Sequence, residues 1–200
     1  MPDIREMQHF PCRASLNKVK MDEQELIRRV QSGDERAFEE IVTVYKHKIV
    51  NFLFRLTGDY ERAVELAQET FMRVYFKAHR YKPVAPFSSW IYAIASNLAK
   101  TDLKKSRRYY HVPLEDVQHR AYEGMVSTEN PESSGMEKNV KEALGDLHPR
   151  YRIPVILKDI EGFTQEEIAG ILNIPVGTIK ARISRGRSHL RKELERALAC

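Results

Sequence analysis

Apolar residues recur three and four positions apart along most of this chain, so helices are expected almost throughout. Leu26, Ile27 and Val30 make a first short amphipathic segment that ends at Ser32-Gly33. Asp34 can cap a second helix, whose inward stripe is Ala37, Phe38, Ile41, Val42, Tyr45, Ile49, Phe52 and Leu56. Gly58 closes that helix and Asp59 can cap a third, with Ala63, Leu66, Ala67, Thr70, Phe71 and Val74 inward. At 81–86 (YKPVAP) two prolines interrupt the period, because proline cannot continue a helix. The period resumes at Phe87, with Trp90, Ile91, Ile94, Ala95, Leu98 and Leu103 as a further core stripe. Residues 21–108 are therefore expected to form a compact all-helical domain. Residues 1–20 carry no sustained periodicity and read as a loose leader. Because the patterning starts right after Met21, translation from that methionine would also fit.

Residues 109–136 have low apolar density, acidic groups (Glu115, Asp116, Glu123, Glu129, Glu132), Pro131 and small polar residues. That composition predicts a flexible linker. A second, smaller helical domain follows at 137–200. It opens with a helix to about Leu147, and Pro149 suits the first turn of the next run, which ends at Glu161-Gly162. Pro154 inside that run should bend it or delay its start. The overall expectation is an all-α chain of two helical domains joined by a flexible segment.

The stretch 163–190, FTQEEIAGILNIPVGTIKARISRGRSHL, is the most informative in the chain. Thr164 followed by Glu167 is a capping box, so a short helix should start at Gln165 with Ile168, Ala169 and Leu172 inward. Small Ala169 would let a second helix cross closely. Asn173 stands at the turn, where a left-handed backbone is often required, and Pro175 fits the first turn of the helix that follows. At 100° per residue, Val176, Ile179, Ile183, Leu190 and Leu194 share one side of it. The opposite side carries Thr178, Ala181, Arg185 and Ser188, flanked by Gly177, Arg182 and Ser184, with Lys180 and Arg187 at the margins. This is the form of a helix-turn-helix, with arginine for guanine edges, small residues for close approach and margin cations for phosphates. A lone amphipathic helix with solvated charges would look similar. The coincidence of capping box, turn residue and basic outward face favours DNA.

Composition narrows the remaining classes. The chain has 200 residues and a formal net charge of +5, concentrated in a few basic clusters, which suits a polyanionic partner. No apolar run is long enough to span a membrane, and the first twenty residues lack the apolar core of a secretory signal. The only cysteines, Cys12 and Cys200, do not form a disulfide framework, and with His9 they are too few for a zinc site. A cytoplasmic protein without metal or cofactor is expected. No P-loop, HExxH or GxSxG sequence occurs, so no catalytic residue is assigned.

A second basic cluster, Lys100, Lys104, Lys105, Arg107 and Arg108, ends the helix led by Trp90, with Tyr81, Lys82, Phe87 and Ser88 just upstream. Ring faces near cations suit unstacked bases of a single strand. On composition alone, Phe87 and Trp90 fit core positions better, with a solvated helix end beyond them.

The succession GDYERAVELAQETFMRVY, FSSWIYAIASNLAKTDLKKSRR, an acidic linker and GFTQEEIAGILNIPVGTIKARISRGRSHLRKEL resembles the extracytoplasmic-function sigma factors of the sigma-70 family, over residues 21–198. The resemblance implies a non-catalytic transcription initiation factor that binds core RNA polymerase, through its β′ clamp helices and β flap, and promoter DNA. It also implies control by an anti-sigma factor, and neither a small-molecule substrate nor membrane insertion. Asp59, Glu61, Glu65, Leu66, Gln68 and Glu69 match positions that dock on the clamp helices, while Arg62 stands where an acidic residue is common. Tyr81, Lys82, Phe87, Ser88, Trp90, Asn97, Lys100, Arg107 and Arg108 fall in the part that melts and reads the −10 element. In its loop, Pro83-Val84-Ala85-Pro86 replaces the family's Gly-Asp-Ser type of sequence, so the captured base does not carry over. Lys180, Ala181 and Arg185 match the major-groove positions of the −35 reader. Two rivals stand beside this reading. One is a conventional helix-turn-helix regulator with a sensing or dimerising N-terminal domain. The other is a helical enzyme using His47, Glu65 or Glu69.

Overall fold

The computed structural model describes residues 23–109 and 135–198. The leader, Met21, both cysteines and nearly all of the expected linker lie outside the described residues. Every regular element among the described residues is helical. They are α1 (Glu23–Gln31), α2 (Glu35–Thr57), α3 (Tyr60–Lys77), a 3-10 turn (Ala78–Arg80), α4 (Phe87–Tyr109), α5 (Gly135–Asp146), α6 (Pro149–Asp159), α7 (Gln165–Leu172) and α8 (Val176–Leu198).

Local chemistry sets the helix ends. Asp34 caps α2 by accepting the Ala37 N–H at 3.2 Å, and the Arg29 guanidinium grips its other oxygen at 2.7 and 2.9 Å. Gly58 ends α2 in the left-handed region (φ 78°), and Asp59 then caps α3 by accepting the Arg62 N–H at 3.0 Å. Pro149 is in the first turn of α6, as expected. Pro154 does not delay α6, which starts upstream and runs through it; the missing N–H leaves Arg150's carbonyl without its usual intrahelical donor.

Helices α1–α4 enclose a core of Ile27, Ile49, Phe52, Leu53, Leu56, Val74, Phe87 and Ile91, all essentially inaccessible. Helices α5–α8 enclose Ile156, Leu157, Ile168, Ile179 and Ile183. The two cores are continuous. Helix α7 lies against α4, and α5 and α6 pack on α2. Arg152 of α6, itself buried, donates to the Leu56 carbonyl at the end of α2 at 2.7 Å, besides the Leu147 and Gly145 carbonyls of its own half. The two halves share a packed face, and the segment expected as a flexible linker lies outside the described residues.

Candidate nucleic-acid interface

The helix-turn-helix forms as its local signals dictate. Thr164 Oγ1 accepts the Glu167 N–H at 3.1 Å, and the Glu167 carboxylate accepts the Thr164 N–H at 2.8 Å. Asn173 ends α7 in the left-handed region (φ 52°). Ile168, Ile171 and Leu172 then pack with Ile179 and Ile183 of α8. Ala169 is only half-buried. A different close crossing, of α8 with α6, occurs at Gly186, where an added Cβ would lie 2.6 Å from Val155 Cγ2. The readable signal for that crossing is a lone glycine inside a helical period.

On α8, Gly177, Thr178, Lys180, Ala181, Ser184 and Arg185 are exposed on one side, and Arg182 is half-buried. Among the described residues, neither Lys180 nor Arg185 is in an ion pair. Arg187 differs from its expected role at the margin. Its guanidinium forks onto both oxygens of Asp159 in α6, a pairing that raises its pKa and makes it a strut between α6 and α8.

In α4 the expectations divide. Lys82 and Asn97 are exposed, Ser88, Trp90 and Lys100 are half-buried, and Arg107 and Arg108 belong to the last turn. Tyr81 and Phe87, expected as stacking platforms, are core residues, exposed by only 7% and 1%. Their rings are 5.9 Å apart and lie 5.2 and 5.8 Å from Trp90, and the Tyr81 hydroxyl donates to the Ala85 carbonyl at 2.7 Å. Edge-to-face packing uses the ring faces that a base would need. Of the three, Trp90 keeps an accessible surface. Burial lowers the pKa of the Lys100 amine, and the nearby Arg182 and Lys104 charges lower it further.

On α3, Asp59, Glu61, Glu65 and Gln68 are exposed and Glu69 is half-buried. Glu65 is paired with Arg62 and Glu69 with Arg73, both at 2.5 Å. Leu66, expected on the docking surface, is 2% exposed and belongs to the core; it occupies the inward stripe between Ala63 and Thr70. Arg62 turns to α4, where Asp102 accepts its Nε–H at 2.8 Å and a second N–H besides, so this residue braces the bundle. Sequence reasoning missed that Tyr60, Met72, Tyr75 and Phe76 of the same helix are exposed. Their placement off the inward stripe was the available signal.

Among the described residues, no cluster of His, Cys, Asp or Glu could hold a metal ion, and no helix is long and apolar enough to cross a membrane.

This combination of a helix-turn-helix and a four-helix bundle packed against it has counterparts among known proteins. The sigma-70 region 2 model matches residues 41–109, and the sigma-70 region 4 model matches residues 137–190. The ECF RNA polymerase sigma factor SigW of Bacillus subtilis is 34% identical over 176 residues, spanning 84% of this chain and 94% of that protein. The chain belongs to the ECF sigma factors of the sigma-70 family. The RNA polymerase sigma-H factor of Pseudomonas aeruginosa is likewise 34% identical, over 86% of this sigma factor and 94% of its own length. Among solved structures, RpoE of Bartonella quintana in complex with the anti-sigma factor NepR superposes with a TM-score of 0.61 at 26% identity, covering 79% of this chain and 96% of that one. CnrH, solved with the cytosolic domain of CnrY, shares the fold with a TM-score of 0.65 at 21% identity, over 86% and 97% of the two chains. As a member of the family, this sigma factor is a non-catalytic partner of RNA polymerase. Both rival readings, the sensing regulator and the helical enzyme, give way to that assignment.

Proposed function

We propose that this sigma factor directs polymerase by two readers on one chain. The second domain, residues 137–200, sets α8 into the major groove of the −35 element. Arg185, Ala181 and Thr178 address base edges there, and Lys180 and the half-buried Arg182 serve the backbone. The first domain, residues 21–108, presents α4 to the −10 element, with Trp90, Lys82, Asn97 and Lys100 toward the opened strand. Opening draws on binding energy, by holding an unstacked base, and uses no nucleotide hydrolysis. Docking on the β′ clamp helices falls to Asp59, Glu61 and Gln68 on α3, together with Glu65 and Glu69 once their arginine pairs exchange. The β flap meets the second domain, and because polymerase works in the cytoplasm, so does this factor.

The observation that carries this reading is the exposed face of Lys180, Ala181 and Arg185, whose cations make no ion pair among the described residues, on a helix whose entry turn is fixed by Thr164, Glu167 and Asn173. Linking this reader to α4 makes the second promoter contact intramolecular, so two modest affinities combine. An anti-sigma factor is the expected regulator, by analogy with the NepR complex of the Bartonella relative. Run-off transcription with purified core polymerase tests the function. Promoter-specific transcripts that require this protein are expected. Dimeric binding to a palindrome, with no transcript on any genomic template, would overturn it.

A further inference from the structure

The contacts between the two halves converge on Glu161, in the turn after α6. Its carboxylate, with only 11% of the side chain exposed, accepts the Tyr92 hydroxyl at 2.5 Å and lies 3.5 Å from Arg55. The Tyr92 ring sits 5.0 Å from Phe52 of its own half and 4.9 Å from Phe163 of the other. The Arg152–Leu56 hydrogen bond closes the same seam further along α2. A buried, charge-assisted bond between halves is much stronger than a surface ion pair.

The seam has an effect on the readers. It holds α7 along α4, leaving a cleft of about 570 Å³ with Lys82, Trp90 and Ala93 on one wall and Glu166 and Glu167 on the other. A strand approaching Trp90 would run its phosphates past two carboxylates. The recognition face of α8 stays exposed in this arrangement. The arrangement also brings Arg182 of α8 near enough to Lys100 of α4 to disfavour its charge. Promoter elements at −10 and −35 lie about 85 Å apart along B-DNA, at about 3.4 Å per base pair, so readers packed this closely cannot occupy both.

We propose that the Tyr92–Glu161–Arg55 and Arg152–Leu56 contacts form an autoinhibitory clasp, which keeps α7 over the strand-reading face of α4 while leaving α8 free. The clasp rests on the proposed role of α4. Release must precede use of the −10 element, and any partner that separates the halves activates that reader. The test uses the full chain with Tyr92→Phe and Glu161→Gln combined; phenylalanine keeps the ring between Phe52 and Phe163. Solution X-ray scattering should show a larger radius of gyration than for the parent protein. Affinity for a short fluorescent single strand of random sequence should rise about tenfold, the scale of one lost charge-assisted bond. Affinity for a random duplex, gripped by α8, should stay within about twofold. Arg55→Ala, which removes only a partly exposed charge, should give the same pattern at about twofold to threefold. An unchanged radius, an unchanged single-strand affinity or an equal gain on the duplex would overturn the clasp. Run-off transcription by the parent protein is scored separately. Its absence refutes the sigma reading and does not touch the scattering result.

Discussion

Replacing Gly186 with alanine should push the recognition helix off its support. The new Cβ would lie 2.6 Å from Val155 Cγ2, with Tyr151 Cβ at 3.4 Å and the Tyr151 carbonyl at 3.5 Å behind it. Carbon contacts settle near 3.5–4.0 Å, so α8 and α6 must part by about 1 Å. Val155 cannot swing aside easily, being β-branched and 4% exposed. Overpacking of this kind costs about 1–3 kcal/mol, and alanine's helix propensity returns about 0.8–1 kcal/mol. The net expectation is a loss between about zero and about 2 kcal/mol, or up to about 8 °C in melting temperature for a chain of this size. Denaturant unfolding measures it. Val155→Ala alone should cost about 2 kcal/mol, from two methyl groups and the void they leave. Combined with Gly186→Ala, it should open room for the new methyl. The double variant should then be at least about 1 kcal/mol more stable than the sum of the singles predicts. At 25 °C the single variant stays folded, so a loss of duplex binding beyond the stability effect would report a displaced α8. Costs that add within about 0.5 kcal/mol, or a Gly186→Ala protein more stable than its parent, would refute the close-crossing argument.

Other substitutions separate fold from function. Arg185→Ala should cost about 1–3 kcal/mol at one base pair of the −35 element and relax selectivity there, read by binding to a panel of duplexes; equal loss on every sequence would mark a phosphate contact instead. Leu66→Ala should lower global stability by about 2–5 kcal/mol in denaturant unfolding, since the side chain is 2% exposed; an unchanged midpoint with weakened polymerase binding would return Leu66 to the surface role. Asp34 is held below its ordinary pKa of 3.8, chiefly by the Arg29 guanidinium and then by the Ala37 N–H. The unfolded chain therefore binds its proton first, so the contribution of Asp34 is complete above about pH 4 and is lost as pH falls through the lowered value. Asp34→Asn, which still caps the helix, should flatten that part of the acid limb in a pH series of thermal melts, and an unaltered limb would refute the assignment.

What could be read from sequence was mostly what is decided within four residues. The caps at Asp34, Asp59 and Thr164, the left-handed turns at Gly58 and Asn173 and the outward face of α8 all depend on neighbours along the chain. Positions whose partners are distant in sequence were read less well. Arg187 is exposed at the margin of α8, and nothing near it in sequence signals its pairing with Asp159, far upstream. Tyr81 and Phe87 look like stacking platforms until Tyr45 and Trp90 close around them. Leu66 is instructive because two lines of reasoning conflicted. The helical period put it inside and the motif match put it on the docking surface, and burial decides for the period.

The clasp between the halves was illegible for a related reason. Tyr92 and Glu161 each have an adequate local explanation, as a residue beside a helix stripe and as a polar turn residue. Only their 2.5 Å bond makes them one unit. Leu56 contributes a backbone carbonyl, which carries no side-chain signature at all. A helix ending at a left-handed glycine leaves carbonyls in need of donors. Arg152 supplies one from the other half while also serving two carbonyls beside it. That sharing sets a hierarchy for opening. When the halves part Arg152 keeps the Leu147 and Gly145 carbonyls and gives up that of Leu56, whereas Glu161 gives up both the Tyr92 hydroxyl and the Arg55 charge. Release should therefore cost most at Glu161, and substitution there should loosen the clasp more than the loss of any one hydrogen bond to Leu56.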